Sequence, residues 1–123
     1  MKNPAFVDGV MTIFLGEDET PVDLKANARA AKAISRHFGG LTEAYAKANA
    51  FDFPSVVAIV NAASGRVGKA AEATDDEVFD AGLAFVAPLA LQYLSFLSAG
   101  GKVPKAKAAD DAGAEPAEGN AAA

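Results

Sequence analysis

Residues 81–101, AGLAFVAPLALQYLSFLSAGG, contain no charged side chain. As one helix they would extend about 31 Å at 1.5 Å per residue, the thickness of a bilayer core. A chain of 123 residues with such a segment has two ways to use it. Either the segment spans a membrane, or it is the central helix of a small protein core.

Its side-chain distribution favours the second use. On a helical wheel Val78, Phe79, Val86, Leu89, Tyr93, Phe96 and Leu97 gather on one side, with Leu83 and Leu94 on the shoulder. The reverse side carries Asp80, Ala81, Ala84, Ala87, Pro88, Gln92 and Ser95, with Leu91 its one large apolar group. A lipid-facing helix is apolar all round, whereas this one is two-sided. Each central Leu, Phe or Val contributes about 0.3–0.6 kcal/mol to insertion, so their sum is only a few kcal/mol against the polar positions. Inside the helix, Pro88 removes a hydrogen bond and collides with the Ala84 carbonyl, predicting a bend.

The start of this helix reads as TDDE, residues 74–77, a capping box in which Thr74 and Glu77 satisfy each other's orphan amides. Asp75, Asp76 and Asp80 oppose the helix dipole, so the acid cluster has a structural explanation.

Ahead of it, VMTIFL (Val10–Leu15) is rich in strand formers and is followed by a loop signal at residues 16–21. Val22 and Leu24 suit a return strand, making a hairpin that helices must cover. Residues 24–40 read as a helix with Leu24, Ala31, Ile34 and Phe38 inward and Gly39-Gly40 as its stop. Lys25, Arg29, Lys32 and Arg36 form a stripe on the other side, either a solvated face paired with Glu17, Asp18 and Glu19 or a docking strip for an acidic partner. A short helix follows with Leu41, Tyr45 and Ala48 inward. The apolar run VVAIV fits either a buried strand or a helix, and a helix that begins near Pro54 and ends at Gly65 is favoured.

After Gly100 the composition turns to Ala, Lys, acid, Pro and Gly, which buries too little apolar surface to offset chain entropy. The expectation is one mainly α domain over residues 1–99, with a small N-terminal β-hairpin and about four helices. A disordered low-complexity tail is expected over residues 100–123.

The chemistry of known enzymes is not legible. There is no cysteine and a single histidine, His37, placed at a helix end where it would meet the terminal carbonyls. ASGRVGKAA fails the phosphate-loop pattern, with Ala63 and Ala70 where glycine and a hydroxyl are needed. No catalytic, cofactor-binding or metal-ligating residue is assigned. A net charge of −5 argues against nucleic acid as the main partner. Asp8 and Gly9 interrupt the N-terminal apolar stretch, so it makes a poor signal peptide, and the cytoplasm is the expected compartment.

Several features together resemble the phage tail assembly chaperones, in particular those of gene transfer agents, long-tailed phages and prophages. They are Leu15-Gly16, the Ala-rich stretch from Ala28 to Ile34, FGGL from Phe38 to Leu41, the segment from Val56 to Ala63, Thr74 to Val78, and Leu89 to Leu97. The resemblance covers residues 10–98. The Lys-Ala-Pro tail and Pro88 depart from the pattern. It implies a non-enzymatic factor of the bacterial host cytoplasm, absent from the mature particle, that binds the tape measure protein and recruits tail tube subunits. Grooves between amphipathic helices can hold such a partner. The expected contacts are Val86, Leu89, Tyr93, Phe96 and Leu97 of the last helix and the stripe Lys25, Arg29, Lys32 and Arg36. Two readings compete: a small membrane-inserted phage or bacterial protein spanning at residues 81–101, and an unrelated binding domain with the same helix spacing.

Overall fold

A computed structural model describes residues 2–103. The expected disordered tail therefore lies almost entirely outside the described residues. The fold is mainly α with a β start, as the sequence pattern predicts. Three strands, β1 (Ala5–Val7), β2 (Val10–Leu15) and β3 (Thr20–Lys25), form an antiparallel sheet in the order β1-β2-β3. Five helices follow: α1 (Ala28–Phe38), α2 (Leu41–Asn49), α3 (Phe53–Ser64), α4 (Gly68–Ala81) and α5 (Leu83–Ser98).

Alternation sets the sheet's two faces. Met11, Ile13 and Leu15 of β2 and Val22 and Leu24 of β3 are buried beneath the helices. Thr12 pairs with Asp23 on the outer face, and its hydroxyl donates to Asp23 Oδ1 at 2.7 Å. Strand β1 adds a third strand to the hairpin that the sequence pattern predicts. Its signal was the Asp8-Gly9 pair between Val7 and Val10, a two-residue hairpin connection flanked by apolar residues.

At the other hairpin, Glu19 holds a positive φ of 51° and is exposed, its amide bonded to the Gly16 carbonyl at 3.1 Å. A left-handed conformation costs a non-glycine residue about 1–2 kcal/mol. Glu19→Gly is therefore expected to stabilise the protein by about 0.5–1 kcal/mol after glycine's greater chain entropy is subtracted. The check is a rise of a few degrees in the melting temperature, about 4–8 °C per kcal/mol for a domain of this size.

The core is built around α3, whose Val56, Val57, Ile59, Val60 and Ala63 are all buried. Pro54 lies in its first turn, as predicted, and the VVAIV run is helical rather than extended. Both α1 and α2 pack on α3, and α5 packs on α2, α3, α4 and β2.

Two sequence readings are corrected here. The helix after the hairpin begins at Ala28, not Leu24: Asn27 is its N-cap, accepting the Ala30 amide at 2.9 Å. Leu24 and Lys25 belong to β3. The apolar C-terminal segment is likewise not one helix opening at Thr74. It is two helices broken at Gly82 and bent by 117°. Gly82 has φ 99°, a conformation no interior helical residue adopts, so the chain turns there. The expected bend at Pro88 is not the large one, since α5 continues through it with the ring on the exposed side.

Thr74 thus lies in the middle of α4, not at its start, and the capping box does not form. The residue is fully buried. Its hydroxyl donates to Asn61 Oδ1 at 2.6 Å and accepts from Arg66 Nη1 at 2.8 Å. Arg66 also meets Glu77 Oε1 at 2.7 Å, the one ion pair among the described residues. Asn61, Arg66, Thr74 and Glu77 together fasten α4 to the end of α3.

Candidate interaction surfaces

Five of the nine expected contact positions are core. Val86, Leu89, Tyr93, Phe96 and Leu97 are all buried inside the fold. They are not a free surface, which corrects the expectation that the apolar face of the last helix awaits a partner. That face is already covered by α2, α3, α4 and the sheet. The exposed side of α5 is small and weakly polar as predicted, with Ala84, Pro88, Gln92 and Ser95 facing solvent, but Ala81 and Ala87, expected on that side, are buried.

Tyr93 shows how fully α5 is engaged. Its hydroxyl donates to the Lys25 carbonyl at 2.7 Å, tying the helix to the end of β3. Burial pushes its phenol well above the ordinary tyrosine range, and the charge of Arg29 partly opposes this. The folded protein therefore keeps that proton where the unfolded chain's tyrosine, with a pKa of about 10, has lost it. Its contribution is complete below about pH 10 and is lost as pH rises further. Tyr93→Phe is expected to cost about 1 kcal/mol at neutral pH, through the unpaired Lys25 carbonyl. It should also flatten the alkaline limb of a stability–pH curve relative to the unsubstituted protein, as read by urea unfolding.

An apolar depression lies beside α5. A groove of about 560 Å³ is lined by Phe6, Gln92, Ser95, Phe96, Ala99, Lys102 and Val103. The rings of Phe6 and Phe96 meet edge to face with centroids 5.3 Å apart. Phe96 forms the floor, while Phe6 on β1 stays 37% exposed at the rim. The hydroxyls of Tyr45 and Ser95 hydrogen-bond beside it.

The second surface is basic. Arg29, Lys32 and Arg36 share the exposed face of α1 and, with Ala28 and Ala33, line a shallow groove of about 390 Å³. The Arg29 guanidinium donates to the Ala62 carbonyl near the end of α3 at 3.2 Å. Lys25, also exposed, sits on β3 and so is not part of the helical stripe. None of these cations pairs with Glu17, Asp18 or Glu19, so the pairing that the solvated-face reading offered does not form. Those acids lie at the β2–β3 turn; Glu17 and Asp18, with Glu77 and Asp80 of α4, line a separate groove of about 560 Å³.

His37 is exposed in the last turn of α1, its ring edge-on to Phe38 with centroids 4.7 Å apart. Among the described residues no group of three or more His, Asp or Glu is placed to hold a metal ion. Nor is any single helix among them long and apolar enough to cross a membrane. Comparison of the chain with known family models, curated proteins and solved structures finds no match.

Proposed function

We propose that this protein is a non-enzymatic tail assembly chaperone, which binds a long helical tape measure protein and assists tail tube assembly by transient contacts. The observation that carries the reading is the Phe6–Phe96 groove, an apolar depression floored by Phe96 of α5 and rimmed by the partly exposed Phe6 of β1. Such a groove takes an apolar side chain from an amphipathic helix, the mode by which a helical partner is held. Its rim bears Gln92, Ser95 and Lys102, which suit the polar flank of that helix. The sequence resemblance supplies the identity of the partner. The bacterial host cytoplasm, and absence from the finished particle, follow from the same reading.

The test is co-expression with any long coiled-coil-like protein that a neighbouring open reading frame encodes. The long protein is expected to become more soluble and to co-purify with this chain. Phe6→Ser should abolish that gain while leaving the helical circular dichroism signal and the melting transition nearly unchanged, since Phe6 sits at the rim on an edge strand. A long protein equally insoluble with and without this chain would overturn the proposal.

A further inference from the structure

The basic face of α1 has a counterpart elsewhere on the same molecule. Helix α4 buries only Thr74, Val78 and Ala81, and its outer side carries Glu72, Asp75, Asp76 and Asp80, all exposed. Among these acids stands Phe79, 74% exposed, the most exposed phenylalanine described. The two stripes have matching helical spacing. Arg29, Lys32 and Arg36 cover about 11 Å of α1, and Glu72 to Asp80 about 12 Å of α4, at 1.5 Å per residue. The exposed cations of α1 and acids of α4 take no part in the one described ion pair, Arg66–Glu77. Within one molecule no cation of α1 pairs with an acid of α4, and each helix packs against α3.

We propose that the α1 face is a self-association site whose occupant is α4 of a second copy. Phe79 of the incoming helix enters the groove between Ala28 and Ala33, and Asp75, Asp76 and Asp80 meet Arg29, Lys32 and Arg36 at its rim. An apolar anchor ringed by charge pairs is the usual anatomy of a small protein contact. The net charge of −5 repels copies in most other orientations, so charge selects this one. The contact joins two different patches, leaving one α1 and one α4 free in each pair, so it propagates to a ring or an open chain. Exposed ion pairs are individually weak and screened by salt, so the association is concentration-dependent and salt-sensitive.

The inference is independent of the groove at Phe6 and is tested without any partner. Sedimentation velocity of the full chain at low salt should show species larger than the monomer growing with concentration, and these should dissociate in high salt. The double variant Lys32→Glu, Arg36→Glu should stay monomeric, as should the double variant Asp76→Lys, Asp80→Lys. Mixing the two should restore association, because the unaltered α4 face of one variant meets the unaltered α1 face of the other, and the two reversed faces are likewise complementary. Phe79→Ala should weaken self-association by about tenfold. All these positions are exposed, and an unchanged melting transition for each variant excludes misfolding. A monomer at every concentration at low salt overturns the proposal. So does association in which the two charge-reversed variants fail to complement each other.

Discussion

Gly101→Ala is expected to destabilise the protein by about 3 kcal/mol, the sum of a left-handed backbone penalty and an overlap with another backbone segment. Gly101 has φ 71°, and a Cβ added there would lie 2.8 Å from the Ala26 carbonyl oxygen and 3.3 Å from Gly9 Cα. These are main-chain atoms at the junction of three elements. The Gly9 amide donates to the Gly101 carbonyl at 2.6 Å, and the Ala26 amide donates to the Gly9 carbonyl at 2.8 Å. The end of α5, the β1–β2 hairpin and the start of α1 are thereby clasped, and a methyl group forces the clasp apart. The neighbouring Gly100 supplies the control. Its φ is 81°, yet an added Cβ meets nothing within 4 Å, so Gly100→Ala should cost only the conformational part, about 1–2 kcal/mol. Urea unfolding of the two variants separates the terms. Equal losses would mean that the clasp is looser than the distances imply.

Thr74→Gly should cost about 3 kcal/mol, where a helix N-cap would lose only a few tenths. The difference follows from position. As an N-cap, Thr74 would stand half outside the helix, where glycine is well tolerated. In the middle of α4 the substitution places glycine in a helix interior, opens a void in a fully buried site, and leaves Asn61 and Arg66 each short of a partner. Against a total stability of about 5–15 kcal/mol for a domain of this size, that loss is a large fraction. A guanidinium titration that finds Thr74→Gly within a few tenths of the unsubstituted protein would restore the capping role and place the start of the helix at Asp75.

Much of the fold was legible from periodicity. The strand Val10–Leu15, its return through Val22 and Leu24, the helix from Phe53 in which Pro54 occupies the first turn, and the exposed back of α5 all follow from local spacing and punctuation. Phe79 was misplaced for a specific reason. A wheel carried through Gly82 sets it beside Val86 and Leu97, whereas the 117° turn at Gly82 puts it on the opposite side of the molecule's own packing, in solvent. Glycine within an apolar run reads as a tolerated helical residue, so the break left no local mark. The candidate surfaces were half legible. The cations of α1 could be named from spacing, but Lys25 could not be separated from them until the strand's end was known, and the Phe6–Phe96 groove joins residues ninety positions apart.

By itself the amino-acid order determined the class of the fold, the β2–β3 hairpin and the two-sided character of α5, because each depends on near neighbours along the chain. Tertiary structure alone decided where the long apolar segment divides and which residues were left for contact with other molecules. The reason is coverage: α3 exposes apolar side chains in several directions, and one straight helix cannot shield them all. Turning at Gly82 lets α4 and α5 cover different sides of the core, and in doing so it buries Tyr93 and Leu97 and leaves Phe79 outside.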